Sequence, residues 1–266
     1  MLLIKPVAVV ALTLFVSACG ITLERGDGPP QDTVDVFSIP DAVPKEEPRS
    51  RYGNPESYVV MGKRYYVMRE SNGFIKKGIA SWYGKKFHGR RTSSGETYNM
   101  YAMTAAHKTL PLPTYVQVTN LKNGRRVIVK VNDRGPFHEN RIIDLSYTAA
   151  AKLDIIKNGT GVVEIRALNA GHYAEEGAPV RTVSVGVEQK GFYIQVGSFG
   201  ELVNAEKLRK KLGILGEHLV KISQAIVGGG TVYRVKIGPL TSIDTADSIV
   251  ARLGQFGVME HHIVVD

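Results

Sequence analysis

The chain has 266 residues, 43% hydrophobic and 22% charged, an ordinary globular composition that excludes collagen-like, low-complexity and wholly disordered chains. A single cysteine excludes an internal disulfide framework and a cysteine-based zinc cluster. The formal net charge of +9 points first to a polyanionic partner, with nucleic acid as the usual one.

The chain opens MLLIKPVAVVALTLFVSAC. One early charge, Lys5, precedes an apolar run over residues 7–16 and the small residues Ser17 and Ala18. That order predicts a secretory signal over residues 1–18, too short for a membrane span of about 20 residues. Cys19 follows at once. Val16-Ser17-Ala18-Cys19 resembles a bacterial lipobox, which implies cleavage before Cys19 and its acylation, palmitate included. The mature chain is then anchored to a membrane by acyl chains. Gly20 in place of Asp implies, by the same resemblance, the inner leaflet of the outer membrane, facing the periplasm. Nucleic acid drops out as an expected partner.

Residues 19–50 are rich in Pro, Asp and Glu and predict a flexible tether. Residues 171–190 predict a linker. Between them, residues 51–170 carry 20 Lys and Arg against 8 Asp and Glu. The tether is acidic and residues 191–266 are nearly neutral, so the positive charge belongs to the middle block.

Short strand patterns in that block fall at residues 78–83, 114–120, 126–131 and 162–167. Asn123-Gly124 marks a hairpin. Residues 146–153 (SYTAAAKL) predict a helix. Many short strands with Gly-rich turns predict a small β-barrel. No Cys nucleophile, GxSxG or HExxH motif is present, and nothing calls for a metal or cofactor. Carboxylates and histidines remain as reactive groups. By residue type alone, Glu96 in TSSGET reads as a solvated turn carboxylate and His107 in TAAHKTLP as a structural histidine. Asp133 in VNDRGPF reads as a turn former, and Asp144 in RIIDLS is a further carboxylate.

The last block predicts the order βαββαβ, a ferredoxin-like α+β pattern. GFYIQVGSF and TVYRVKIGPL alternate as strands, and Leu202, Ala205, Leu208 and Leu212 recur at helical spacing. Phe192, Ile194 and Val196 are expected to face the helices. Tyr193, Gln195, Arg234 and Lys236 are expected to share the open sheet face. This block resembles the sporulation-related repeat, or SPOR domain, whose members bind septal peptidoglycan stripped of stem peptides. The resemblance implies glycan contacts at Gln195, Ser198, Phe199 and Arg234. An RNA-recognition module shares the topology, but its aromatic motif is missing.

SWYG-x2-F-x-G-x2-T-x2-GE, AAHKTLP and VNDRGPF together resemble the double-psi β-barrel of the rare lipoprotein A family, and RYGNPESYVVMGKRYYVM fits the same family. The fold class expected is therefore mixed: a double-psi β-barrel domain (residues 51–170, barrel about 77–168), then the SPOR domain (191–266). The resemblance implies an endolytic lytic transglycosylase. Such an enzyme cuts peptide-free glycan between N-acetylmuramic acid and N-acetylglucosamine, leaving 1,6-anhydro ends at the division septum. It places the catalytic Glu at Glu96, with His107 and Asp133 in support. A carboxylic acid donates to a glycosidic oxygen at neutral pH when an apolar pocket or a like charge disfavours its ionised form. Two alternatives stay open. One is an inverting hydrolase using Asp133 as a second carboxylate. The other is a non-catalytic septal glycan-binding lipoprotein or a scaffold for other cell-wall hydrolases, with other septal proteins as partners.

Overall fold

The computed structural model describes residues 28–30, 34–138, 140–169 and 191–265. The expected signal peptide, Cys19 and the linker at 171–190 lie outside these residues.

A hairpin of β1 (Ser57–Val60) and β2 (Lys63–Tyr66) precedes a closed barrel. The barrel strands are β3 (Ile75–Trp82), β4 (Thr104–His107), β5 (Thr114–Asn120), β6 (Arg126–Asp133), β7 (Arg141–Leu145) and β8 (Thr160–Leu168). They close in the order β3-β7-β4-β6-β5-β8. The pairs β3/β7 and β4/β6 are parallel and the rest antiparallel, the crossed arrangement of a double-psi barrel. Closure follows from alternation. Val116 and Val118 on β5, Val127, Val129 and Val131 on β6, and Ile143 and Leu145 on β7 fill the interior. Each such side chain contributes about 1.5–3 kcal/mol on burial. Strands β4 and β7 escape periodicity because TAAH and RIIDL are 4 and 5 residues long. Helix α1 (Tyr147–Lys152) begins at Ser146, whose hydroxyl accepts from Ala149 N at 3.3 Å.

The expected tether departs from expectation over residues 34–50, which run along the barrel as a strap. Ile39 and Ala42 pack against the core. Ala42 N donates to Ile128 O at 3.1 Å, and Ile128 N donates to Asp41 Oδ2 at 3.0 Å. Lys152 Nζ pairs with Asp41 Oδ1 at 3.0 Å. Polar side chains that composition counts as solvated are here the fastenings.

The C-terminal unit follows the expected order: β9 (Phe192–Phe199), α2 (Leu202–Leu212), β10 (Val220–Val227), β11 (Gly230–Leu240), α3 (Ile243–Leu253) and β12 (His262–Val265). Its antiparallel sheet has the order β10-β11-β9-β12. Phe192, Ile194, Val196, Val235 and Ile237 form its core with Ala205, Leu212, Ala246 and Leu253 of the helices. Asn140 joins the two units: its Nδ2 donates to Asp247 Oδ1 at 2.9 Å, and its Oδ1 lies 2.8 Å from His261 Nε2.

Candidate active site

Glu96 stands on a tight loop closed by a bridge between Arg91 and Thr97. Thr92 N donates to Glu96 O at 2.8 Å, and Gly95 supplies the turn at φ +91°, where a side chain is strained. The loop is pinned to the end of β6. Ser94 N donates to Asn132 O at 3.2 Å. Ser93 donates twice to Asp133 Oδ1, from N at 2.8 Å and from Oγ at 2.6 Å. Arg134 N donates to the same oxygen at 2.7 Å. Asp133 thus anchors the loop that carries Glu96, and the two belong to one hydrogen-bonded network.

Both carboxylate oxygens of Glu96 are engaged. Oε1 lies 2.9 Å from Lys130 Nζ, and Oε2 accepts from Asn132 Nδ2 at 2.8 Å. Lys130 and Asn132 are two apart on β6, so they share a face. Asn132 Oδ1 is buried and has no hydrogen-bond partner among the described residues. Lys130 Nζ also lies 2.9 Å from Glu47 Oε2, and Glu47 Oε1 accepts from the Tyr115 hydroxyl at 2.5 Å. Tyr115 faces Lys130 directly across the β5/β6 ladder. Burial pulls the Lys130 ammonium down, but bonds to Glu47 and Glu96 outweigh it and hold it above the ordinary lysine value. Burial likewise pushes the Glu47 carboxyl up. The Tyr115 hydroxyl and Lys130 outweigh that and hold it lower. Glu47 and Glu96 thus share the one Lys130 ammonium. Sequence reasoning missed Glu47, Lys130, Asn132 and Ser93. The one available signal was Lys130, a charge inside the apolar run VIVKV.

His107 ends β4 and is 3% exposed. Its Nδ1 accepts from Thr109 N at 3.1 Å and Leu110 N at 3.0 Å, which leaves the ring proton on Nε2. Burial, with Lys76, Arg134 and Lys108 adding to it, lowers its pKa to about 3. The ring is therefore neutral and caps a turn. Its carbonyl accepts from Arg134 Nη1 at 3.1 Å, which ties it to the loop beside Asp133.

Asp144, set under Gly135 of that loop, accepts from the Ser81 hydroxyl. Burial raises its pKa; the Ser81 bond and Arg141 oppose this without cancelling it. Lys85, Lys86, Arg90 and Arg91 are exposed on the loop next to Glu96. Tyr98 N donates to Arg90 O at 2.7 Å, which fixes that basic loop against the Glu96 turn. Among the described residues no group of three or more His, Cys, Asp or Glu could hold a metal ion.

On the C-terminal sheet, Gln195 pairs with Lys236 and Ser198 with Arg234, so these four share one face. Lys236 Nζ lies 5.6 Å from the Tyr193 ring centroid and the residue is 9% exposed. Phe199 stands apart from them. It is register partner of Tyr233 and packs against the hydrophobic core, because the strand is irregular between Gln195 and Gly197. Its ring lies against Gly197, where a Cβ would stand 2.7 Å away.

Residues 75–166 match the family described as "Lytic transglycolase", and residues 188–258 match the SPOR domain. The chain is 40% identical over 284 residues to the endolytic peptidoglycan transglycosylase RlpA of Pseudomonas aeruginosa strain UCBPP-PA14, covering 86% of this chain and 83% of that one. It is 45% identical to the protein of the same name from Neisseria meningitidis serogroup B, covering 77% and 82% respectively. The crystal structure of the RlpA SPOR domain from Pseudomonas aeruginosa matches at 28% identity and a TM-score of 0.27, covering 29% of this chain and 100% of that one.

Proposed function

The chain belongs to the RlpA family of endolytic peptidoglycan transglycosylases, and from that premise we propose that it is a lytic transglycosylase cutting peptide-free glycan strands. The observation that carries this reading is Glu96, held between Lys130 and Asn132 on a loop fastened to Asp133. Glu96 gives its proton to the glycosidic oxygen as the bond to C1 of N-acetylmuramic acid breaks. The 6-hydroxyl of the same sugar closes on C1, and its proton returns to Glu96. No water is consumed, and a 1,6-anhydro end results. Lys130 stabilises the carboxylate that exists between the two proton transfers. Asn132 serves both states: its NH2 meets the carboxylate, and after its amide turns over, Oδ1 accepts from the acid. Asp133 and His107 act by position, holding the 92–96 loop and the loop at Arg134.

The mature chain is anchored through acylated Cys19 to the inner leaflet of the outer membrane and works at the septum. There the face bearing Gln195, Ser198 and Arg234 recognises denuded glycan. The exposed basic residues near Glu96 track the lactyl carboxylate left on each disaccharide. A second reading, a glycan binder without cleavage, is favoured by one observation: both Glu96 oxygens are already occupied.

Mass spectrometry of products separates the readings. Chain lacking residues 1–19, given amidase-treated sacculi, should release fragments with anhydro ends. Glu96→Gln should abolish release by about a thousandfold or more while sacculus binding persists. Hydrolytic ends in place of anhydro ends would convict the enzyme of a different reaction. Absence of any release by folded wild-type chain would leave only the binder.

A further inference from the structure

A cavity of about 460 Å³ opens beside Asp133, and none of the roles above uses it. Its volume is within the roughly 300–1,000 Å³ of small-molecule clefts. One wall is the β1/β2 hairpin, which precedes the residues matching the lytic transglycosylase family. Tyr58 and Val60 line the cavity from the hairpin, Phe137 from the opposite loop, and Ser93 and Arg134 from the catalytic side. The aromatic rings brace one another. Tyr65 stacks on Tyr58 at 5.4 Å between centroids, and Phe137 lies 6.2 Å from Tyr58 and 5.8 Å from Tyr65. The Tyr58 hydroxyl donates to Lys108 O at 2.6 Å, and Met68 N donates to Thr109 O at 2.8 Å, which hold the hairpin over the site.

The charge of the cavity is that of Arg134. Its Nε donates to Gly53 O, its Nη1 to His107 O and Leu110 O, and its Nη2 to Asn54 Oδ1. Four of five N–H groups are thereby committed, and the guanidinium cannot swing away. The fifth, on Nη2, has no partner among the described residues, and no side-chain carboxylate pairs with this cation there. Burial lowers its pKa to about 10, which leaves it charged at neutral pH. Ser93 and Arg134 are also the residues that fasten Asp133, so the cavity adjoins the reacting centre.

An apolar, aromatic wall with a cation over one of its rings, Arg134 Cζ standing 5.9 Å from the Tyr58 centroid, suits a ligand that has an apolar ring face and an anionic substituent. A pyranose carrying a lactyl ether is such a ligand. We propose that this cavity is a glycan subsite for an N-acetylmuramic acid unit, its ring face against Tyr58 and Phe137 and its lactyl carboxylate at Arg134. The assignment rests on the reading that the chain binds peptide-free glycan.

The test uses the whole chain without residues 1–19. Hydrogen exchange of the Glu96→Gln chain is followed with a peptide-free peptidoglycan tetrasaccharide. Residues 57–66 and 134–138 should become protected, and protection there is separable from protection of the C-terminal sheet. Val60→Trp, which fills the cavity without removing any packed ring, should abolish it. In the cleaving chain, Val60→Trp and Phe137→Ala should raise KM about tenfold with kcat changed less than about threefold. An uncharged N-acetylglucosamine tetrasaccharide should protect the hairpin less. Protection confined to the C-terminal unit, or unchanged KM in both folded variants, overturns the subsite. Equal protection by the uncharged sugar overturns the role of Arg134. Hairpin protection in a chain whose wild type releases no anhydro ends overturns the transglycosylase reading and leaves the subsite standing.

Discussion

Lys130 shares its ammonium between Glu47 and Glu96. Removing the Glu47 charge leaves that ammonium to Glu96 alone and opposes its acid form. Glu47→Gln should therefore slow cleavage about tenfold at neutral pH while sacculus binding is unchanged. Faster cleavage would show that Glu47 restrains the site instead. His107 makes a different kind of prediction. Its pKa is held at about 3, far below the ordinary 6.5, so the folded chain refuses the proton that the unfolded chain takes. Its contribution to stability is complete above pH 6.5 and is lost progressively as pH falls towards 3. Melting temperature should drop over that window. His107→Asn keeps an acceptor for Thr109 N and Leu110 N and removes the titration, so its profile should be flatter. His107→Ala leaves two amides unbonded and should cost about 2–4 kcal/mol by denaturant unfolding. AAHKTLP picks out His107 in the sequence. The sequence does not reveal that its ring is a buried cap, because the amides it bonds are backbone groups that carry no residue identity.

The strap and the hairpin carry the element-scale consequences. Glu47 has a lowered pKa, so its fastening is present above the ordinary 4.5 and is lost as pH falls through the folded value. Lys130 has a raised pKa, so its share is present below 10.5 and is lost as pH rises past the folded value. Protection of residues 34–50 from hydrogen exchange, taken relative to the intrinsic rate at each pH, should be greatest between these limits, and Asp41→Ala should lower it across the window. Gly53 links the strap to the site. It sits at φ +77°, and a Cβ there would stand 2.6 Å from Ser93 O. Gly53→Ala should cost roughly 1–3 kcal/mol and displace the loop that positions Glu96, lowering kcat more than it raises KM. The strands with clear alternation, such as β5 and β9, were legible in the sequence. The strap was not, because Asp41 and Glu47 fasten it to partners 111 and 83 residues away. Such pairings leave no local period. The side on which Phe199 lies was hidden for a related reason: an irregular register turned it to the core face, and alternation presumes an unbroken ladder.

At the scale of the whole molecule, the positive charge lies in the barrel unit and the recognition sheet lies beyond it. Asn140 holds the two units together through Asp247 and His261. Asn140→Ala should loosen this contact and enlarge the radius of gyration in solution scattering, with each unit still folded. The two units also differ in how they end. The barrel is closed, so each of its six strands has two neighbours and no backbone ladder is left open. The C-terminal sheet is open, and β10 is one of its margins, with Ile226 83% and Val227 54% exposed near its turn. Where copies are concentrated together, neighbours meet far more often than in dilute solution. Under such crowding β10 is the row of free donors and acceptors along which two copies can zip together, and the barrel offers none.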